Sequence, residues 1–443
     1  MKVVIIGASF AGTAAAVAIR RKFKHAEIYV FDRQADMGYL PGGVNLFAAR
    51  QVSDLKEARL VTEKELLEQD IQLMLGTEVT YVDTVQHVLT YRRQGEQGFF
   101  SFDKLILATG SSQWSNKILG SDSERVLKYK FLQGSQLALD LLESSRRVAV
   151  IGGGQIGAEA VDTLLEMKKE IHLFESMDYL LFKYFDREMV QPVQKEMVES
   201  GVVFHFDESV EAIHEHQQAL EVVTKQGSYS FDTAIFAMNV RPDLSYLDQR
   251  VKRHTDGTVL VDEFMRTSQE DIFAVGDCIQ IGHSLSEESF YIPLVNNAVR
   301  TALAASQNLI QPTSPFIGSV RTIGTRLVGN YVGSTGLTQE ECLFYPAEVS
   351  SVQHTQKSGL FADEEVAGKL IYDKDTHKVL GAQLVSKTNI LEKINTLALG
   401  IQLGMTLEDL YQKDYLYHPF FSSTLDITNA LGIEGIWGEQ DEG

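Results

Sequence analysis

"KVVIIGASFAGTAAAVAIRRKFKHAEIYVFDR", residues 2–33, decides the fold. Its first five residues are a short apolar run rich in β-branched side chains, which predicts a buried strand. Gly7, Ser9 and Gly12 follow at the spacing of a glycine turn, an Ala-rich helix comes next, and a second strand ends on Asp32. Strand, glycine turn, helix, strand and terminal acid make up the βαβ unit that binds dinucleotides. Backbone N–H groups at the helix start, around Ser9 and Ala11, can hold a pyrophosphate, and a bulky side chain there would keep it away. Asp32 lies 20 residues past Gly12, placed to accept from ribose hydroxyls, with Arg33 beside it. The middle glycine of G-x-G-x-x-G is Ser9 here, small enough to let a phosphate near.

The unit recurs. "RRVAVIGGGQIGAEAVDTLLEMKKEIHLFES", residues 146–176, carries Gly152, Gly154 and Gly157 at full spacing, Gln155 and Ile156 between them, and Glu175 at the end of the next strand. One glycine turn can merely join a strand to a helix. Two, each with its own strand, helix and terminal acid, read as two dinucleotide sites. A carboxylate at Glu175 favours a free 2′-hydroxyl and repels a 2′-phosphate. Ser176, Met177 and Asp178 follow with no arginine, and the nearest basic residue after Glu175 is Lys183. NADH is therefore expected in preference to NADPH.

Composition bounds the rest. The chain has 443 residues, 44% hydrophobic and 23% charged, as an ordinary globular protein has. That length suits about three domains of ~150 residues. A formal charge of −20, from 60 acidic and 40 basic residues, argues against nucleic acid and against an anionic membrane surface as partners. No run of ~20 apolar residues could span a bilayer, and Met1 leads into a strand without a leader pattern, so a cytoplasmic location is expected. Cys278 and Cys342 are the two cysteines, with no CxxC and no His/Cys cluster. Neither a disulfide framework nor a bound metal is expected, and both thiols read as small apolar fillers.

Further motifs run along the chain: "LILATGS" (105–111), "GGGQIGAEA" (152–160), "YFDRE" (184–188), "AMNVRPD" (237–243), "TSQEDIFAVGDC" (267–278), "YIPLVNNAVRTA" (291–302) and "YLYHPFFSSTLDITNA" (415–430). Together they resemble the pyridine nucleotide-disulfide oxidoreductases, in particular the branch containing NADH oxidase, NADH peroxidase and coenzyme A-disulfide reductase. The resemblance implies an α/β protein with two Rossmann-like domains, the NAD domain inserted into the FAD domain. A C-terminal α+β interface domain follows and forms a homodimer. The corresponding boundaries are 1–115 and 246–320 for the FAD domain, 116–245 for the NAD domain and 321–443 for the interface domain. The resemblance further implies Val79 near the FAD adenine, Thr109 and Gly110 in the flavin pocket, and Asp277 on a ribityl hydroxyl. Leu294 and Val295 would start the helix beneath the flavin. Glu159, Glu175 and Tyr184 would lie near NADH, with Asn239 where a glycine is common and Gln155 where many relatives carry an aromatic residue.

One stretch departs. The family keeps a redox cysteine after the first βαβ unit, where this chain has "YLPGG" (39–43), so the sulfur position falls on Gly42. Peroxide-reducing members also keep a histidine in the first glycine turn, where this chain has Phe10. A thiolate is the nucleophile of disulfide exchange and the group recycled in peroxide reduction, and glycine can do neither. What remains implies an FAD-dependent NADH oxidase releasing hydrogen peroxide, or a dehydrogenase passing electrons to a small acceptor. A competing reading is an FAD- and NADH-binding sensor or regulatory protein. Tyr417 and His418, in the segment that reaches a partner's site in relatives, are the side chains left for catalysis, against the plainer reading that they pack.

Overall fold

The computed structural model describes residues 1–113, 118–217, 219–238, 240–286, 288–419 and 422–438. A five-stranded parallel sheet has the order Ile272–Ala274, Lys104–Leu107, Lys2–Ile6, Glu27–Phe31, Ile71–Met74. Val3 pairs with Ile28 on one side and Lys104 on the other. Val3, Val4 and Ile5 are wholly buried, because the helix Phe10–Lys22 packs on this sheet and antiparallel strands within residues 77–101 pack on it as well, with Tyr91 and Phe100 against Tyr29 and Phe31. The chain leaves this sheet after Leu107, builds a second one, and returns at Ile272.

The second sheet repeats the plan: Val203–His205, Glu170–Phe174, Arg147–Ile151, Thr233–Phe236 and Val126–Leu127, all parallel. A three-stranded antiparallel sheet accompanies each parallel sheet, over residues 77–101 and 210–231. The C-terminal part is a five-stranded antiparallel sheet, Ile323–Leu327, Asn330–Gly336, Val379–Ser386, Glu365–Asp373 and Val349–Lys357 in spatial order. The helix Leu391–Gln402 lays Ile394, Leu397 and Ile401 into its core, and the helix Ile427–Trp437 adds Ile427 and Leu431. The expected α/β class with a C-terminal α+β unit is what the chain adopts.

Two packing features place the site. The helix Phe10–Lys22 meets the helix Val295–Gln307 through small residues, Ala11 and Ala15 on one and Ala298, Ala302 and Ala305 on the other, all buried. Gly276 fits between them, and a Cβ there would lie 3.1 Å from that of Ala11. Enlarging any of these contacts would cost about 1–3 kcal/mol. The "YFDRE" segment, in turn, is docked on the C-terminal sheet. Lys369, 1% exposed, meets Asp186 at 2.8 Å and also Glu188, while Gln383 and the Gln339 amide donate to the Asp186 carboxylate. A buried cation needs such partners, since its desolvation would otherwise be prohibitive. Among the described residues, no helix is long and apolar enough to cross a membrane, and no group of three or more His, Cys, Asp or Glu could hold a metal.

Candidate active site

The two glycine loops are built alike. Gly7 (φ 113°) and Gly152 (φ 106°) take a backbone conformation that other residues avoid, and their N–H groups donate to Phe31 and Phe174, the last residues of the neighbouring strands. A Cβ on Gly12 would overlap the Gly7 carbonyl oxygen, and one on Gly157 the Gly152 carbonyl oxygen. These two glycines let helix and strand approach, and neither lines the large cavity. The helices that follow, Phe10–Lys22 and Gln155–Glu166, start at Ser9 and Gly154 without a side-chain cap and with no acid in the first turn. Their first N–H groups are left for an anion.

Both helix starts open on one cavity of about 850 Å³. Gly7, Ser9, Phe10, Ala11, Asp32, Arg33, Val79, Thr109, Gly110, Asp277, Leu294 and Val295 line it, with Gly42 and, from the second unit, Gln155, Ile156 and Glu159. A third uncapped helix start, at Leu294, borders it too. Gly154, by contrast, is not in its lining, and neither are Gly152, Glu175 or Tyr184. Asn239 lies outside the described residues.

The acids behave differently from one another. Asp32 accepts from the amides of Ala8 (2.7 Å) and Gln34 (2.8 Å), so it braces the first glycine loop while facing the cavity. Burial nonetheless raises its pKa, outweighing those bonds and the nearby Arg33. Glu175, 7% exposed, accepts from the amides of Gly153 (2.6 Å) and Met177 (2.9 Å) and from the Ser176 hydroxyl (2.9 Å). Lys183 lies within its field. Burial and the charges of Arg241 and Arg321 lower the lysine's pKa, and Glu175 opposes them. Tyr184 sits apart from the cavity, its ring 5.5 Å from the Arg321 guanidinium and its carbonyl accepting from Ser334. Arg321 is itself paired with Glu341.

The partners of Asp277 come from distant parts of the chain. Ser111 donates to its carboxylate at 2.5 Å, and Lys130 reaches both Ser111 (2.6 Å) and Asp277 (3.3 Å). Both line the cavity. They lie 166 and 147 positions away in sequence; Ser111 closes the "LILATGS" motif, but nothing local ties it to Asp277, and Lys130 falls in none of the motifs. A different signal, the i,i+4 spacing of Gln155 and Glu159, is realised as a hydrogen bond of 3.0 Å at the cavity wall.

Neither cysteine lines the cavity. Cys278 is fully buried against the Thr109 hydroxyl, and burial pushes its thiol up to about 11. Burial likewise pushes Cys342 up to about 12, in a short 3₁₀ turn, Glu341–Phe344. Neither has a thiolate at neutral pH. Tyr417 and His418 are exposed on the C-terminal unit, away from this cavity.

Comparison with known proteins agrees with this architecture. Residues 1–302 match the family described as pyridine nucleotide-disulphide oxidoreductase, and residues 328–428 match its dimerisation domain. An NADH oxidase of Enterococcus faecalis is 30% identical over 97% of this chain and 98% of its own. A solved pyridine nucleotide-disulfide family oxidoreductase from Enterococcus faecalis is 49% identical over the whole of both chains, with a TM-score of 0.90. The water-forming NADH oxidase of Lactobacillus brevis, solved with NADH bound, is 29% identical over the whole of both chains, with a TM-score of 0.95. The chain therefore belongs to the pyridine nucleotide-disulphide oxidoreductase family.

Proposed function

We propose that this protein is an FAD-dependent NADH oxidoreductase that passes electrons to dioxygen, releasing hydrogen peroxide, or to another small acceptor. One observation carries the reading: two nucleotide-binding units open on a single cavity that no thiol lines. The cavity suits FAD. Uncapped N–H groups at Ser9–Ala11 would hold its pyrophosphate, and Asp32, with Arg33 and Val79, would hold the adenosine end. Asp277 would accept from the ribityl chain, with Ser111 and Lys130 fixing its carboxylate. Thr109, Gly110, Leu294 and Val295 would frame the ring. Bound there, the flavin supplies two-electron chemistry that no side chain of the protein can perform.

The remaining residues bind and orient. Gln155 and Glu159 border the cavity from the second unit, where the nicotinamide would arrive, and Glu175 shapes the loop for the adenosine ribose. The same residue disfavours NADPH. Without a thiol to carry a second reduction, peroxide formed from dioxygen would leave unreduced. The boundaries 1–115, 116–245, 246–320 and 321–443 follow from the same reading, as does a homodimer through the C-terminal unit, with Tyr417 and His418 offered to the partner. Anaerobic titration of the purified flavoprotein tests the reading. NADH should bleach the flavin at lower concentration than NADPH, and no bleaching by either would overturn it.

A further inference from the structure

Two neighbouring strands of the second parallel sheet, Glu170–Phe174 and Val203–His205, carry a chain of polar side chains that ends beneath the Glu175 turn. His172 Nδ1 lies 2.9 Å from His205 Nε2, and His205 Nδ1 lies 3.1 Å from a Glu208 carboxylate oxygen. At the other end, the Arg147 guanidinium is 3.4 Å from His172 Nε2. His172 is 9% exposed and Glu208 4%, so the protein must supply their partners.

The two ends fix the direction of the chain. A guanidinium can only donate and a carboxylate can only accept. His172 Nε2 therefore accepts from Arg147, His172 Nδ1–H donates to His205 Nε2, and His205 Nδ1–H donates to Glu208. Both rings are neutral in this order, and an added proton has no place in it. On His205 Nε2 it sets N–H against N–H across 2.9 Å, and on His172 Nε2 it faces the guanidinium. Both ends are held by other groups. Arg147 bonds to Glu170 and to the Ser230 carbonyl, each at 2.7 Å, and Glu208 accepts from the Thr224 hydroxyl at 2.5 Å and from Tyr229. Burial and the Arg147 charge lower the pKa of His172, against the pull of Glu170, 3.7 Å from its Nε2.

The same residues grip the second nucleotide loop. The Glu175 amide donates to the His205 carbonyl (2.9 Å), and the Glu208 amide donates to the Glu175 carbonyl (3.0 Å). The Asp207 amide donates to the Met177 carbonyl (3.1 Å), and Phe174, just before Glu175, stacks on the His205 ring at 4.3 Å. Residues 205–208 thus hold the backbone around the carboxylate that shapes the Gly153 turn.

We infer that His172, His205 and Glu208 are positioning residues for NADH, holding the Glu175 loop while the histidine pair is neutral and releasing it when the pair takes up a proton. NADH binding is therefore linked to protons and weakens as pH falls. The inference rests on the reading of Glu175 as part of the NADH site. A histidine that titrates near its ordinary value of about 6.5 in the released loop, and stays neutral in the held one, weakens binding about tenfold between pH 7.5 and 5.5.

The test is equilibrium dialysis of the oxidised holoprotein with NAD⁺, which carries the same adenosine and withstands acid, at pH 7.5 and 5.5. Wild type should bind about tenfold more weakly at the lower pH. His172→Asn keeps a donor toward His205, and its amide can turn to present oxygen once His205 is protonated. It should match wild type at pH 7.5 and change by no more than about twofold at pH 5.5, with flavin content at both pH values as the control for folding. A wild-type affinity that does not move with pH, no saturable NAD⁺ binding at either pH, or a His172→Asn profile as steep as wild type would overturn the inference. Anaerobic bleaching by NADH at pH 7.5 is recorded on the same samples. Bleaching with a flat profile sinks the histidine chain and leaves the NADH reading standing, whereas the expected profiles without bleaching do the reverse.

Discussion

Glu175→Gln is the most informative single change at the second nucleotide site. The carboxylate now gives one oxygen to the Gly153 amide at 2.6 Å and the other to the Met177 amide and Ser176 hydroxyl, each at 2.9 Å. Glutamine has one oxygen, so its NH₂ must face one of the two amides, donor against donor. At a residue 7% exposed, water cannot readily take over the orphaned N–H. Losing a charge-assisted bond and stranding a donor costs about 1.5–3 kcal/mol. If NADH binds to the loop in the shape Glu175 imposes, the nucleotide must restore that shape, and its affinity falls by roughly 10- to 150-fold. The assay is anaerobic titration of the flavin with NADH, with flavin content and thermal midpoint as controls for the first nucleotide site and the fold. An NADH dissociation constant within about twofold of wild type, in a variant that keeps its flavin, would show that the carboxylate does not shape the NADH site.

Other consequences are as direct. Gly157→Ala drives a Cβ into the Gly152 carbonyl oxygen, whereas Gly154→Ala meets nothing within 4 Å. The first should lower the thermal midpoint through overpacking of about 1–3 kcal/mol or more, and the second should leave it near wild type, so equal midpoints would refute the packing role. Asp426 is a pH-linked stabiliser. Burial alone would raise its pKa, but bonds from Lys393 and Thr428 and the charges of Lys393 and Lys413 hold it at about 2. Because the folded value lies below the unfolded one, the contribution is present above about pH 4 and is lost as pH falls toward 2; it amounts to roughly 2 kcal/mol. The gap in unfolding free energy between wild type and Asp426→Asn should therefore narrow from pH 5 to pH 2.5, and a constant gap would contradict it. Gly42→Cys should add one thiol that reacts with a thiol reagent in the native protein, where buried Cys278 and Cys342 react only after unfolding.

The glycine loops were legible because their causes are local: a strand, a turn that needs positive φ at Gly7 and Gly152, a helix start, and an acid about twenty residues on. Gly12 and Gly157 were placed in the right motif, but their work is the approach of helix to strand, which only the Cβ geometry reveals. The sequence places Asp32 and Glu175 as ribose acceptors, and the fold shows that each holds its own loop through backbone amides. What the sequence hid is non-local. Ser111 and Lys130 reach Asp277 across more than a hundred residues, and Lys369 reaches Asp186 and Glu188 from another sheet. Tyr184 stands in a linear motif, and only the fold adds that its carbonyl and ring are engaged by Ser334 and Arg321 of the C-terminal unit. No periodicity records such pairings, because burial of a charge constrains its partner's position in space and leaves its place in the chain free.

The most direct measurement is the yield of hydrogen peroxide per NADH oxidised in air by the purified flavoprotein, with catalase-free reagents and oxygen uptake followed in parallel. A cavity without a thiol should release close to one peroxide per NADH and take up one dioxygen. Uptake of half a dioxygen per NADH with no peroxide would mean that water is the product, and that the second reduction proceeds without a cysteine in the cavity.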